Sequence, residues 1–194
     1  MLDKPRILIF STAYFPHVGG AEIAVSEIVK RLADHYDWTL LTVRLSRHDP
    51  AVEKIGAVTV HRLGLGLGRI DKLLFPFLAS RRAEKLHRAG SFNLIWSVMA
   101  SFSGFAARRF KRRHPAIPYL LTLQEGDDVR IIREKVGWWP VQQWFGQIFL
   151  LADRIQAISN YLARWAKDMG VKRPVDVVPN GIELPSPASD GNEI

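Results

Sequence analysis

The chain has 194 residues, 47% hydrophobic and 24% charged, with 27 Lys and Arg against 19 Asp and Glu for a net charge of +8. That length and balance suit a globular protein with a substantial core and a surface that attracts anions. With no cysteine, disulfides, thiolate metal sites and a cysteine nucleophile are excluded, and the six scattered histidines show no HxxxH or HxH spacing, so no structural metal is expected.

Arg6 to Ser11 (RILIFS) is an apolar run that predicts a first strand, and FPHVGGAE follows from Phe15 to Glu22, ahead of a segment rich in helix formers. Gly19 and Gly20 leave the backbone open to a ligand. The helix they introduce presents unpaired N–H groups at its positive end, as an anion such as phosphate requires. Two glycines also make the tight turn that any strand-to-helix connection needs, so the residues alone leave both readings open. The helix is expected over Ala21 to Tyr36, with Ile23, Ile28, Val29 and Leu32 broadly on one side.

Trp38 to Val43 and Val58 to Leu63 predict the next strands, separated by a polar loop with His48, Asp49 and Pro50. GLGLG, from Gly64 to Gly68, is not a dinucleotide fingerprint, because GxGxxG would need glycine at Arg69; it reads as a flexible loop. A helix is expected from Asp71 to Ala89, a strand in NLIWSV from Asn93, and a helix from Ser101 to Arg113. After a two-proline connection from His114 to Pro118 comes the strand YLLTL from Tyr119, then QEGDD. A Trp-rich helix spans Trp138 to Leu151, RIQAIS from Arg154 gives a strand ending in a cap at Ser159, and a helix runs from Asn160 to Met169 before Gly170. VDVVP from Val175 is the last strand.

This alternation predicts an α/β fold, a Rossmann-like parallel sheet with helices on both faces. Ligands of such sheets bind beyond the carboxyl ends of the strands, which places Gly19, Gly20, Ser101, Gln124, Asp127 and Ser159 along one rim. The composition of LPSPASDGNEI from Leu184 is that of a linker, so one domain is expected over residues 1–183 with a tail over 184–194.

Positive charge is clustered in Arg81, Arg82, Lys85 and Arg88, and again in Arg108, Arg109, Lys111, Arg112 and Arg113. Both groups are either solvated outer faces of helices or a surface for polyanions or anionic lipid. LLFPFL, from Leu73 to Leu78, precedes the first group, and Trp138 with Trp139 opens another aromatic region. Core packing and a seat in lipid headgroups both remain open for these residues. No apolar run approaches the ~20 residues that span a bilayer, and MLDKPRILIF lacks a cleavable signal pattern, so a cytoplasmic location is expected. Nucleic acid is not an expected partner, since neither zinc spacing nor a helix-turn-helix pattern occurs.

FPHVGGAE after the first strand, LTLQEGDD near mid-chain, ADRIQAISNYLARWAKDMGV and the closing VDVVPNGIE resemble, in order and over almost the whole chain, a known domain. It is the amino-terminal domain of family 4 retaining glycosyltransferases of the two-Rossmann-domain type. The resemblance implies sugar transfer from a nucleotide diphosphate sugar to an acceptor with retained anomeric configuration, without a cofactor or a required metal. It also implies that Gly19 and Gly20 lie against the donor's diphosphate or transferred sugar. Glu22 is divided between a substrate contact and a carboxylate favoured by the helix dipole. Gln124 stands where many members have a histidine near the transferred sugar, so imidazole chemistry is absent while an amide still orients a hydroxyl.

Gln124 and Asp127 are the candidates for catalytic contact, with Asp127 alternatively an Asx turn or helix cap. His17, Ser101, Glu125 and Ser159 are acceptor-side candidates. The family's second domain, which supplies the nucleotide pocket, is not found before Ile194, and the chain is expected to be inactive without it. Its expected partners are that domain in cis or trans, a nucleotide sugar, a glycan or lipid-linked acceptor, and an anionic membrane surface. A non-catalytic anion- or glycan-binding module, or the partner subunit of a split enzyme, is the alternative.

Overall fold

In a computed structural model of the chain, the described residues are 4–126 and 139–181, so Asp127, Trp138 and the expected tail lie outside them. The strands are β1 (Arg6–Phe10), β2 (Asp37–Val43), β3 (Val52–Ile55), β4 (Val58–Leu63), β5 (Leu94–Val98), β6 (Tyr119–Leu123), β7 (Arg154–Ala157) and β8 (Asp176–Val177). The helices are α1 (Gly20–Arg31), α2 (Arg69–Ala89), α3 (Phe102–Lys111), α4 (Trp139–Leu150) and α5 (Asn160–Asp168). One eight-stranded sheet has the order β3-β4-β2-β1-β5-β6-β7-β8, parallel except for β3 against β4. Leaving out β3 and β8, this is the Rossmann order, in which the chain works outward from β1 in one direction and then returns to build outward in the other.

Alternation along the strands divides the interior. Leu8 and Phe10 of β1 join the core beneath α2, α3, α4 and α5, whereas Ile7 and Ile9 join the core beneath α1. All four are buried, as a parallel strand covered on both faces requires. Phe75 of α2, Phe110 of α3 and Phe149 of α4 are fully buried on the more heavily covered face.

Four expectations from the sequence need correction. In α1 the inward residues are Ala21, Val25 and Val29, at i, i+4, i+8, whereas Ile23 and Ile28 are exposed, and the helix ends at Arg31. The segment read as a polar loop contains β3, whose half-exposed VEKI pattern belongs to an edge strand and carries no apolar run. The GLGLG segment is not a loose loop: the buried Asp71 carboxylate accepts the N–H groups of Leu65 (2.9 Å) and Leu67. Gly64, at φ +115°, sits so close to Asp71 that a Cβ there would lie 2.5 Å from its Oδ1. The second basic group is not one solvated face. Arg108 is buried with its guanidinium on Gln147 Oε1 (2.9 and 2.6 Å), and Lys111 is buried against Asp153 (2.7 Å) and the carbonyls of Pro115 and Ile117.

Candidate functional site

The sequential build-up of the sheet reverses between β1 and β5, which makes the carboxyl ends of these two strands the switch point where ligands of such sheets bind. On one side of it α1 begins. Gly19 is the N-cap in ordinary extended conformation, and its N–H donates to Glu22 Oε2 at 2.7 Å. Glycine has no side chain to return the bond, so this is half a capping box and leaves the first helical N–H groups without intrahelical partners. Gly20 is exposed and a Cβ added there would meet nothing within 4 Å. The space in front of the helix end is open.

The loop leading to these glycines is held from below by a residue that the sequence did not single out. Arg62, at the end of β4, is buried; it pairs with Glu53 of β3 (2.7 Å) and donates to the carbonyls of Phe15 (2.5 Å) and Pro50 (3.2 Å). His17 is tied to the same support through Asp49 Oδ2 at 3.1 Å. Burial opposes the charge on Asp49, but the Ser46 N–H, His17 and Arg62 together hold its carboxyl below the usual range. The structure thus gives His17 a place in fastening the glycine loop.

Side-chain bonds then run along the rim from strand to strand. Thr12 and Ser101 hydroxyls meet at 3.1 Å across the switch point. Ala100 N–H donates to Glu125 Oε1, joining the β5 and β6 ends, and Asn180 Nδ2 donates to Gln124 Oε1 at 3.2 Å, joining β6 to the segment after β8. Between Val98 and Ala100, Met99 has φ +68°, a conformation that costs non-glycine residues of order 1–3 kcal/mol. The Ser103 hydroxyl donates to the Val98 carbonyl (2.6 Å) and the Ser97 hydroxyl to that of Met99 (3.3 Å), which braces the strained turn.

Glu125 is the rim's most perturbed group. Its Oε2 is buried without a hydrogen-bond partner among the described residues. Burial raises its pKa to about 7, against the lowering by N–H groups of Ala100 and of its own segment. Such a carboxyl carries a proton near neutrality and is able to donate as well as accept. Gln124, Glu125 and Ser101 are therefore brought together, whereas Ser159 is occupied as the N-cap of α5, accepting the Leu162 N–H at 3.3 Å. Thr12, Asp49, Arg62 and Met99 carried no motif that could have marked them; Asn180 lay within the VVPNGI signature.

Among solved structures, sucrose-phosphate synthase from Thermosynechococcus elongatus superposes with TM-score 0.68 at 17% identity, covering 91% of this chain and 48% of that one. An α,α-trehalose-phosphate synthase (UDP-forming) from Burkholderia vietnamiensis gives 0.56 at 18% identity, over 86% of this chain and 42% of that one. UDP-N-acetylglucosamine 2-epimerase from Rickettsia bellii gives 0.55 at 11% identity, over 87% and 43%. The chain thus spans about half the length of each of these proteins. No curated protein matches the sequence with significance. At such identities the structural likeness speaks for the fold alone. The family comparison reaches further: its model covers residues 18–185, which take in Gly19, Gly20, Ser101, Gln124, Glu125 and Asn180, and by that match the chain belongs to Glycosyltransferase Family 4.

Proposed function

We propose that the chain is the acceptor-side half of a retaining glycosyltransferase. It moves a sugar from a nucleotide diphosphate sugar to an acceptor hydroxyl, without metal or other cofactor, on the cytoplasmic side of a membrane. The observation that carries this reading is the open end of α1, where Gly20 faces free space at the switch point. As the bond from the sugar to the diphosphate breaks, negative charge collects on the departing oxygens. Fixed N–H dipoles aimed at that position stabilise the charge without reorganising. Glu22 serves this indirectly, by holding the Gly19 N–H and so shaping the turn.

On the opposite lip, the Gln124 amide, the Glu125 carboxyl and the Ser101 hydroxyl are the groups to receive acceptor hydroxyls. Asp127 keeps the part that the resemblance assigns to it. Contacts to the nucleotide fall to a second domain, in cis or in trans, in keeping with relatives about twice the length of this chain. A non-catalytic binding module is favoured by one observation, the engagement of Gln124 with Asn180.

The deciding experiment supplies the chain with a second family 4 domain, offers a panel of nucleotide diphosphate sugars and acceptors, and reads the product anomer by proton NMR. Retained configuration is expected. An inverted product removes the retaining mechanism, and tight donor binding without turnover favours the binding module.

A further inference from the structure

The outward face of α2 breaks the usual pattern of a helix lying on a sheet, in which that side is polar. Ile70, Leu73, Leu74, Phe77 and Leu78 are 55, 63, 48, 52 and 36% exposed. Arg81, Lys85 and Arg88 continue the exposed positions along the helix. At 3.6 residues per turn all eight stay on one side. The face is therefore apolar over the turns next to the β4 loop and basic over the turns beyond.

Beside the apolar half, a cavity of about 380 Å³ opens between α2, α3 and α4. Leu73, Phe77 and Trp144 supply its apolar walls, and Arg108, Arg109 and Arg112 its charge. The Arg109 guanidinium lies 5.0 Å over the Phe77 ring and that of Arg108 lies 5.5 Å over Trp144. Arg109 Nε is buried without a hydrogen-bond partner among the described residues. None of the three arginines meets a carboxylate among the described residues. Burial, and then the charges of Arg112 and Arg109, disfavour the Arg108 cation, a cost that an anion in the cavity would relieve. Phe102, the neighbour of rim residue Ser101, lines this same cavity.

We propose that this face docks on an anionic lipid bilayer, with the apolar turns of α2 in the headgroup layer, its basic turns over lipid phosphates, and one lipid phosphate held by the arginines of the cavity. Exposed hydrocarbon beside cations that no described carboxylate pairs is complementary to an anionic amphiphile, whereas a soluble polyanion would leave the apolar turns in water. No described helix is long and apolar enough to cross a membrane, so the contact is interfacial. The inference stands on surface chemistry and does not depend on sugar transfer, though it would set the cleft rim beside a lipid-borne acceptor.

Co-sedimentation of the full chain with phosphatidylglycerol–phosphatidylcholine vesicles, against pure phosphatidylcholine, tests it. Binding to the anionic vesicles is expected, poor binding to the neutral ones, and weakening with salt, since charges are screened beyond ~10 Å at 0.1 M. Leu73→Glu with Phe77→Glu should lower partition roughly a hundredfold, as two large apolar side chains leave the interface. Arg81→Gln with Lys85→Gln and Arg88→Gln should lower it roughly a hundredfold at low salt and little at high salt. If the first double variant does not fold, Ile70→Gln with Leu74→Gln, both outside the cavity lining, replaces it. No binding by the parent chain, or undiminished binding by these variants, overturns the proposal. So does a dimer that the same substitutions dissolve, which would make a second copy the occupant, or heparin binding tighter than vesicle binding and indifferent to the apolar substitutions.

Discussion

Gly20→Ala separates an anion-binding turn from a merely structural one, because the two effects of the substitution move in opposite directions. Gly20 is the first residue of α1, lies outside the left-handed region, and has open space where its Cβ would stand. Alanine there meets no clash and restricts the unfolded chain, which stabilises by about 0.4–1 kcal/mol. For a chain of this size 1 kcal/mol corresponds to about 2–4 °C, so the melting temperature should rise by about 1–4 °C. The added methyl occupies the space through which a diphosphate reaches the helix N–H groups. Losing one charge-assisted hydrogen bond costs about 1.5–3 kcal/mol, so donor affinity should fall roughly tenfold to a hundredfold. The measurements are calorimetric melting of the chain and titration of the donor into the enzyme reconstituted with its second domain. Gly19→Ala is the control: its Cβ would lie 3.2 Å from Glu22 Oε2, disturbing the cap and lowering the melting temperature. A more stable Gly20→Ala protein with undiminished donor affinity would refute the phosphate argument and leave the glycines a turn.

Glu125 ionises in the fold at about 7 against a reference of 4.5, so the stability lent by its protonated form is fully present below 4.5 and lost as pH rises through about 7. Glu125→Gln should therefore melt close to the parent at pH 4.5 and above it at pH 8, by up to about 3 kcal/mol; parallel melting curves would contradict this. His61, lowered to about 4 by burial and then by Arg82, is neutral in the fold, so its contribution is present above 6.5 and lost as pH falls towards 4. His61→Gln should flatten that acid limb of the stability curve. Arg62→Met leaves the carbonyls of Phe15 and Pro50 without this donor and frees the partly exposed Glu53, with an expected loss of about 1–3 kcal/mol and weaker donor binding, measured by denaturant unfolding and titration. Arg108→Gln should destabilise by about 1–3 kcal/mol through loss of the Gln147 bonds, whereas Arg112→Gln on the exposed side of the same helix should leave the unfolding midpoint unchanged.

What could be read from the sequence was whatever local chemistry determines. RILIF, LIWSV and YLLTL are predominantly apolar because strands covered on both faces demand it, and GG before helix formers marks a turn whatever its ligand. β3 escaped because an edge strand with a half-exposed VEKI needs no apolar run. The register of α1 was misjudged because isoleucine was taken to point inward, and Ile23 and Ile28 do not. The rim residues Gly19, Gly20, Ser101 and Gln124 follow from strand order, but their fastenings are long-range: Arg62 to Phe15, Thr12 to Ser101, Asn180 to Gln124. Nothing near Arg108 or Lys111 in sequence shows that one meets Gln147 and the other Asp153, so both readings of the basic run, a solvated face and a surface for anions, placed these two side chains outside the packed interior.

The seam between β1 and β5 has a kinetic meaning. Strands β1 to β4 pair only among themselves, as do β5 to β8, and the register Ile7↔Leu94 through Phe10↔Ser97 is the one strand pairing among the described residues that joins the two sets. Each set collects contacts from a contiguous stretch of chain, whereas the seam must close a loop of more than 80 residues, the slow and entropically costly step. The candidate site lies on that seam, so its two lips exist as a site only once both halves have docked. A ligand bridging the lips therefore acts as a clamp, and its binding energy adds directly to the free energy of sub-global opening along this line. In hydrogen exchange, the amides of Ile9 and Phe10 should slow on donor binding more than those of β8 at the sheet's far edge.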